Sequence, residues 1–100
     1  MIFGHLSIDL VQNKVIKNGK DIYLTKYEFQ VIKLLCLHPG QIFSKELLYE
    51  LIWNEKSNSC LHAVENMISR IRKKIEDNPS NPKYILTVYG YGYKFINKED

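Results

Sequence analysis

The chain has 100 residues, of which 45% are hydrophobic and 25% charged, which predicts one soluble globular domain with a modest core rather than an enzyme with a large cleft. Its five glycines and three prolines exclude collagen-like and low-complexity chains. The absence of an apolar run of about 18 residues or of a secretory signal predicts a cytoplasmic protein without membrane contact. The formal net charge of +3 permits nucleic-acid binding without requiring it.

The first 24 residues have the pattern of an antiparallel sheet. Residues 5–10 alternate polar and apolar side chains, as a half-buried strand does. Two further β-like stretches, residues 15–17 and 21–24, flank Asn18-Gly19, and this pair supplies the positive φ angles of a tight hairpin. We expect this N-terminal sheet to have a structural role.

Two amphipathic helices are predicted next. The first begins at a capping box, in which the Thr25 hydroxyl accepts from the Glu28 amide and the Glu28 carboxylate reaches back, and it runs to about His38 before Pro39-Gly40. The second begins at Ser44 and has an apolar and an acidic side. The apolar side consists of Leu47, Leu48, Leu51 and Ile52, and the acidic side of Glu46 and Glu50. The polar stretch 54–60 is predicted to be a loop.

A third predicted helix, about residues 61–76, carries the charge excess of the whole chain. Residues 62–75 hold four basic side chains against the acid Glu65, a balance of 4 − 1 = +3, so the rest of the chain is neutral. At about 100° per residue, an apolar stripe forms along one side, made of Val64, Ile68, Ile71 and Ile75. The projection places the following on the opposite side: His62, Asn66, Ser69, Arg70 and Lys73. Arg72 and Glu65 fall on one flank, and Lys74 on the other.

A second hairpin is predicted after two prolines end this helix. Residues 84–89 and 93–96 are rich in β-formers and are joined through Gly90-Tyr91-Gly92. A helix-turn-helix places its second helix in the major groove of DNA, and an adjoining hairpin can touch the neighbouring backbone. Arg reads guanine, Asn reads adenine and Lys neutralises phosphate, so this arrangement favours DNA binding over a merely solvated helix face.

Four segments resemble the OmpR/PhoB family of winged-helix DNA-binding domains, the output domains of bacterial two-component response regulators. In chain order, these segments are Leu24–Phe29, Ser44–Leu48 with Trp53, Val64–Ile75 and Thr87–Phe95. The resemblance implies an α+β fold, a winged helix-turn-helix in one domain of residues 1–100. Its parts would be an N-terminal antiparallel sheet (1–24), a three-helix core (25–76) and a C-terminal β-hairpin wing (84–96). It further implies sequence-specific binding of double-stranded DNA, no enzymatic activity and no cofactor.

The resemblance assigns DNA contacts to the third helix and the wing. Asn66, Ser69 and Arg70 match base-facing or groove-facing positions, which agrees with the helical projection. Arg72 and Trp53 match phosphate-contacting positions, the tryptophan through its indole N–H. The remaining members of the predicted DNA-binding set are His62, Lys73, Lys74, Thr87, Tyr89, Tyr91 and Lys94, of which Thr87 and Lys94 match wing positions near the backbone.

Three residues depart from the family pattern. His62 stands where the family often has Arg, and it is a weaker, pH-dependent phosphate partner. Tyr89 stands at the wing tip where the family often inserts an Arg into the minor groove, and Glu65 replaces an Asp. The first two changes are the support for an alternative function, a winged-helix protein-interaction module with weak or lost DNA binding.

The resemblance also implies partners beyond DNA. Family members often bind tandem half-sites as dimers, and in several the segment that matches loop 54–60 contacts RNA polymerase. Response regulators of this type carry a receiver domain with a phosphate-accepting aspartate, whereas Asp9 and Asp21 are expected to be surface residues. We therefore expect an excised output domain of a longer parent chain, with an orphan regulator as the alternative.

Other chemistry has little support in the sequence. The three histidines and two cysteines lack zinc-ligand spacing, so Cys36 is predicted to be a core thiol and Cys60 a loop residue in a reducing cytosol. Gly90-Tyr91-Gly92 precedes no helix, so it does not form a phosphate-binding loop. The tyrosines at alternate positions, Tyr89, Tyr91 and Tyr93, can stack on nucleic acid or form a packed aromatic wing.

Overall fold

A computed structural model describes residues 1–56 and 61–96 of the chain. Four antiparallel strands form the N-terminal sheet in chain order, with bounds β1 Ile2–Phe3, β2 Leu6–Asp9, β3 Lys14–Lys17 and β4 Lys20–Ile22. Three helices follow, α1 Lys26–Leu37, α2 Lys45–Trp53 and α3 Leu61–Ile75. The C-terminal hairpin pairs β5 Ile85–Val88 with β6 Gly92–Phe95. The predicted order of sheet, three helices and hairpin wing is confirmed.

The N-terminal sheet contains one strand that the sequence does not predict. Strand β1 has two residues, too few to show the alternating pattern of a strand, and it pairs with β2. The predicted hairpin between β3 and β4 is confirmed, since Asn18 and Gly19 have φ angles of 51° and 79°. Strand β4 ends at Ile22 rather than at the predicted Leu24.

Helix α1 begins at the predicted capping box. The Thr25 hydroxyl oxygen accepts from the Glu28 N–H at 3.2 Å, and Glu28 Oε1 accepts from the Thr25 N–H at 3.0 Å. These two bonds satisfy donors that the helix itself leaves unpaired, and such a cap stabilises a helix by about 1 kcal/mol. The last helical residue is Leu37, with His38 as its C-cap.

Helix α2 turns only part of its predicted apolar side to the core. Leu48 is buried and Ile52 is half-buried against the core, whereas Leu47 and Leu51 of the same predicted apolar side are exposed. Tyr49 is buried instead and stacks on Trp53, with 4.9 Å between ring centroids. Aromatic rings bury a large apolar surface, so this pair extends the packed side of the helix beyond Leu48.

Helix α3 contributes one continuous apolar side to the core. The predicted stripe of Val64, Ile68, Ile71 and Ile75 is at most 2% exposed at every position. Met67 is also buried, at 4% exposure. The helix packs between α1 and α2, while its opposite side stays in solvent. In the described parts of the chain, no helix has both the length and the apolar character needed to cross a membrane.

Backbone contacts fix the wing to the segment that precedes α2. The Phe43 N–H donates to the Tyr93 carbonyl oxygen at 2.8 Å, and the Tyr93 N–H donates to the Phe43 carbonyl oxygen at 2.9 Å. Gly92 lies beside this bridge with a φ of 147°, and a Cβ atom there would overlap the Phe43 carbonyl group. The close approach of the two backbones therefore requires glycine.

The buried carboxylate of Glu76 joins the end of α3 to strand β5. It is 3% exposed and accepts from the backbone N–H groups of Lys83, Tyr84 and Ile85, at 2.7 to 3.2 Å. These bonds hold the chain after the two prolines and set where the wing begins. The sequence shows this glutamate only as the predicted last residue of the helix, so its role was missed.

Candidate nucleic-acid interface

The solvent-facing side of α3 carries the predicted row of polar side chains. His62, Asn66, Ser69, Arg70 and Lys73 are all exposed, on the side opposite the apolar stripe. The helical projection of this row therefore agrees with the structure. Arg, Asn and Ser side chains on the outer face of one helix form a surface that can meet base edges in a major groove.

A buried carboxylate from α1 holds two of the four basic side chains of α3. The Glu28 side chain is 1% exposed and accepts from Lys74 Nζ at 2.6 Å and from Arg70 Nε at 3.4 Å. Burial by itself raises the pKa of Glu28, but the hydrogen bonds from Lys74, Thr25 and Arg70 outweigh it, and the pKa is lowered. Glu28 is therefore a charged partner beneath the exposed face of α3.

Arg72 connects α3 to the wing. Its Nε and Nη2 donate to the Ile85 carbonyl oxygen at 3.1 and 2.9 Å, and Nη2 also donates to the Thr87 hydroxyl at 2.8 Å. The guanidinium carbon lies 5.6 Å from the centre of the Tyr93 ring. Arg72 and Thr87, which the resemblance assigns to the DNA backbone, thus bind each other and fix the angle between helix and wing.

Lys73 is placed differently from the other three basic residues of α3. Its side chain is exposed, and no ion pair to it occurs among residues 1–56 and 61–96. By contrast, the Lys74 ammonium is held by Glu28 and lies 5.5 Å from the centre of the Tyr23 ring. Lys73 therefore presents its charge to solvent with least competition from the protein.

The first turn of α3 is tied to α2 through Glu65. Its Oε1 lies 3.0 Å from His62 Nδ1, and its Oε2 pairs with the Lys45 ammonium. The hydrogen bond and charge of Lys45 lower the pKa of Glu65 and, in return, the pKa of Lys45 is raised. Glu65, at a position where the resemblance expects Asp, thus joins both helices of the helix-turn-helix.

Trp53 lies in an aromatic cluster at the end of α2. It stacks on Tyr49, and its ring centroid is 5.7 Å from that of Tyr27 on α1. The indole is half-buried, which fixes its position relative to both helices. A phosphate contact through its N–H stays a prediction.

The three alternating tyrosines of the wing differ in exposure. Tyr89 and Tyr91 are 88% and 72% exposed at the tip, whereas Tyr93 is buried. Lys94 is half-exposed on β6. An open groove of about 540 Å³ runs between the wing tip and the first turns of α2 and α3, and Lys45 and Glu65 contribute to its lining.

Two sequence predictions concern other parts of the chain. The structure describes loop 54–60 only to residue 56, so Cys60 lies outside the described residues. Asn54 ends α2 in the left-handed conformation, with φ 58°. Cys36 lies in the core, as predicted, and burial raises the pKa of its thiol to about 11. Among residues 1–56 and 61–96, no cluster of three or more His, Cys, Asp or Glu side chains could hold a metal ion.

The family of the chain is decided by a match of residues 19–95 to the family described as "Transcriptional regulatory protein, C terminal". The chain belongs to this family. The OmpR/PhoB resemblance of the sequence is thereby confirmed, and the family consists of transcriptional regulators rather than enzymes.

Two curated relatives are longer than this chain. The chain is 40% identical over 89 residues to the uncharacterized transcriptional regulatory protein YcbL of Bacillus subtilis, which covers 89% of this chain and 39% of YcbL. It is 36% identical over 91 residues to the DNA-binding response regulator MtrA of Mycolicibacterium smegmatis, covering 91% of this chain and 40% of MtrA. The chain thus spans 39% and 40% of the lengths of these two relatives.

Solved structures confirm the OmpR/PhoB winged-helix fold. The response regulator DrrB of Thermotoga maritima, an OmpR/PhoB homologue, has a TM-score of 0.89 and 38% identity over 96% of this chain and 43% of DrrB. The RstA DNA-binding domain of Klebsiella pneumoniae, solved in complex with the RstA box, has a TM-score of 0.89 and 33% identity over 98% of this chain and 97% of that domain. The chain therefore has the OmpR/PhoB winged-helix fold, and it corresponds to the C-terminal domain of a transcriptional regulatory protein.

Proposed function

We propose that this OmpR/PhoB-type domain binds double-stranded DNA sequence-specifically and controls transcription as the output domain of a two-component response regulator. Helix α3 enters the major groove, and the wing lies on the adjacent backbone or minor groove. The observation that carries the proposal is the exposed polar row of α3, held at a fixed angle to the wing by Arg72. RstA, whose domain has the same fold, is solved on a DNA box.

The proposed roles follow from exposure and chemistry. Arg70 reads a guanine through its terminal amino groups, and Asn66 and Ser69 contact neighbouring base edges. Lys73 neutralises a phosphate, because its charge is exposed on the same face. We propose a border of backbone contacts in which Arg72, Thr87 and Lys74 also keep their protein partners: Trp53, His62, Arg72, Lys74, Thr87 and Lys94.

The wing tip is proposed to contribute without charge. Tyr89 and Tyr91 are exposed on either side of Gly90, and Tyr89 stands where the resemblance expects an arginine. Tyrosine rings and hydroxyls can pack on sugars and donate hydrogen bonds, but they release no counterions from DNA. The salt dependence of binding therefore comes mainly from α3 rather than from the wing.

Further proposed partners follow from the longer relatives. MtrA is named a response regulator, and its length beyond this domain leaves room for a receiver domain. We propose a receiver domain in the parent chain, binding to tandem half-sites as a dimer, contact with RNA polymerase through loop 54–60, and a location in the cytoplasm.

Selection from random duplex DNA tests the function directly. We expect the chain to enrich a defined motif, and two copies of that motif about one helical turn apart if it binds as a tandem dimer. Binding is expected to weaken steeply as the salt concentration rises. Enrichment of no motif, together with little salt dependence, would instead support the alternative of a protein-interaction module.

Substitution of the two adjacent lysines of α3 tests which charge meets phosphate. Lys73→Ala is expected to weaken binding to all duplexes similarly and to flatten the slope of log Kd against log salt by about 0.9. Lys74→Ala is expected to change the slope less, because Glu28 already holds its ammonium at 2.6 Å. Fluorescence anisotropy across a salt series measures both slopes. Equal slope changes in the two variants would contradict the assignment.

A further inference from the structure

We infer that Glu28 is a positioning residue for base recognition, because its buried carboxylate orients the Arg70 guanidinium on the outer face of α3. The inference rests on the proposed DNA-binding function. It gives a second role to a side chain that the sequence identifies only as part of a helix cap.

The two carboxylate oxygens of Glu28 have separate partners. Oε1 accepts from the Thr25 N–H at 3.0 Å and from Lys74 Nζ at 2.6 Å. Oε2 accepts from Arg70 Nε at 3.4 Å. Because the glutamate side chain is only 1% exposed, water competes little with these donors, and the attraction between the charges is stronger than at an open surface.

Arg70 is held at its inner nitrogen while its side chain remains 55% exposed. The guanidinium is a rigid plane, so a bond at Nε restrains the direction of the whole group. Nη2 also lies 3.8 Å from Met67 Sδ, a second and weaker restraint. The terminal pair of amino groups is the part that reads guanine O6 and N7, and a restrained side chain loses less freedom when it binds.

The charge of Glu28 has a second consequence for DNA binding. It offsets one of the positive charges of α3 at Lys74 and Arg70, and so lowers the general attraction of this helix for phosphate. Loss of that charge has opposite effects on two quantities. Binding to unrelated DNA is maintained or strengthened, while binding to the preferred site weakens because Arg70 is no longer directed.

Glu28→Gln separates the charge from the helix cap. Glutamine is accepted at this position of a capping box, so its oxygen can still accept from the Thr25 N–H. Its amide nitrogen then faces the donors of Arg70 and cannot accept from them. The matched control is Thr25→Ala, which removes the hydroxyl of the same cap and leaves the carboxylate with Lys74 and Arg70.

The experiment compares dissociation constants for the selected motif and for a scrambled duplex of equal length at one salt concentration. The specificity ratio is the dissociation constant for the scrambled duplex divided by that for the motif. We expect Glu28→Gln to lower this ratio by about tenfold, the usual size of one lost base contact. Binding to the scrambled duplex is expected to be unchanged or tighter. Thr25→Ala is expected to keep the wild-type ratio. Thermal unfolding of each variant defines the temperature at which all of them are folded.

A double substitution shows whether Glu28 acts through Arg70. In an Arg70→Ala background, Glu28→Gln is expected to leave the specificity ratio unchanged. A wild-type ratio in folded Glu28→Gln, or an equal loss in both backgrounds, overturns the inference. If the wild-type chain selects no motif at all, the proposed function itself fails, so the two failures are distinguishable.

One measurement needs no variant and applies even if Glu28→Gln does not fold. Nitrogen-15 relaxation of the free chain reports the order parameter of the Arg70 Nε–H bond. A bond held by Glu28 is expected to approach the value of rigid backbone, about 0.85, whereas a value below about 0.6 means a freely moving side chain and overturns the inference.

Discussion

Arg70→Ala is expected to weaken binding to the preferred duplex by about 1–3 kcal/mol and to relax specificity at the base pair that Arg70 meets. In dissociation constants this is an increase of about fivefold to 150-fold. The loss arises because two parallel hydrogen bonds to guanine have no replacement from alanine or from water held in the same place. Binding assays on the selected motif and on its single-base variants measure it.

Arg70→Lys is the matched control for charge. Lysine keeps the positive charge but lacks the planar pair of amino groups, so we expect the salt slope to stay near that of the wild type while base discrimination falls. Neither variant is expected to unfold the domain, because Lys74 and the Thr25 N–H still bind Glu28. If Arg70→Ala bound the motif and its variants as the wild-type chain does, Arg70 would not be the base-reading residue.

The elements of this fold that show a regular pattern could be predicted from the sequence. The apolar stripe of α3 and the capping box of α1 depend on residues within one helix, and both have the predicted structure. The two-residue strand β1 is too short to have a pattern. Four leucine and isoleucine side chains predict one apolar side for α2, but their spacing does not show that Tyr49 is buried beside Leu48 while Leu47 and Leu51 stay exposed.

In the predicted site too, features within one helix could be predicted, whereas contacts between residues far apart in the sequence could not. Projection of α3 placed Arg70 and Lys73 outward, because exposure along one helix depends on spacing alone. It could not show that Arg72 binds a carbonyl 13 residues away, or that Lys74 binds a carboxylate 46 residues away. Only the packing of α3 against α1 and the wing creates those partners.

These contacts reduce the number of positive charges on α3 that are available to DNA. The sequence attributes the whole excess of +3 to α3. In the folded chain, Glu28 lies against two of the four cations, and Arg72 is directed into the wing. In the proposed DNA complex, the helix therefore has fewer unengaged charges than its composition indicates, which favours base recognition over general attraction to phosphate.

Gly92→Ala is expected to be among the most damaging single substitutions in the wing. A Cβ atom at this position would overlap the Phe43 carbonyl oxygen and lie 2.8 Å from the Ser44 Cα, and the φ of 147° is itself strained for alanine. The clash is with backbone, which cannot rotate away as a side chain can. Relief requires the wing to move from the segment before α2, and both Phe43–Tyr93 hydrogen bonds to break.

We expect this substitution to lower the free energy of unfolding by about 3 kcal/mol or more, measured by chemical denaturation. DNA affinity is expected to fall with it, because the wing would no longer be held beside α3. Gly90→Ala is the matched control, since its φ of 83° also disfavours alanine but no atom lies within 4 Å of the added Cβ. Its expected cost is about 1–2 kcal/mol, from the left-handed conformation alone. Equal losses in the two variants would mean that backbone strain, rather than close contact with Phe43, makes Gly92 necessary.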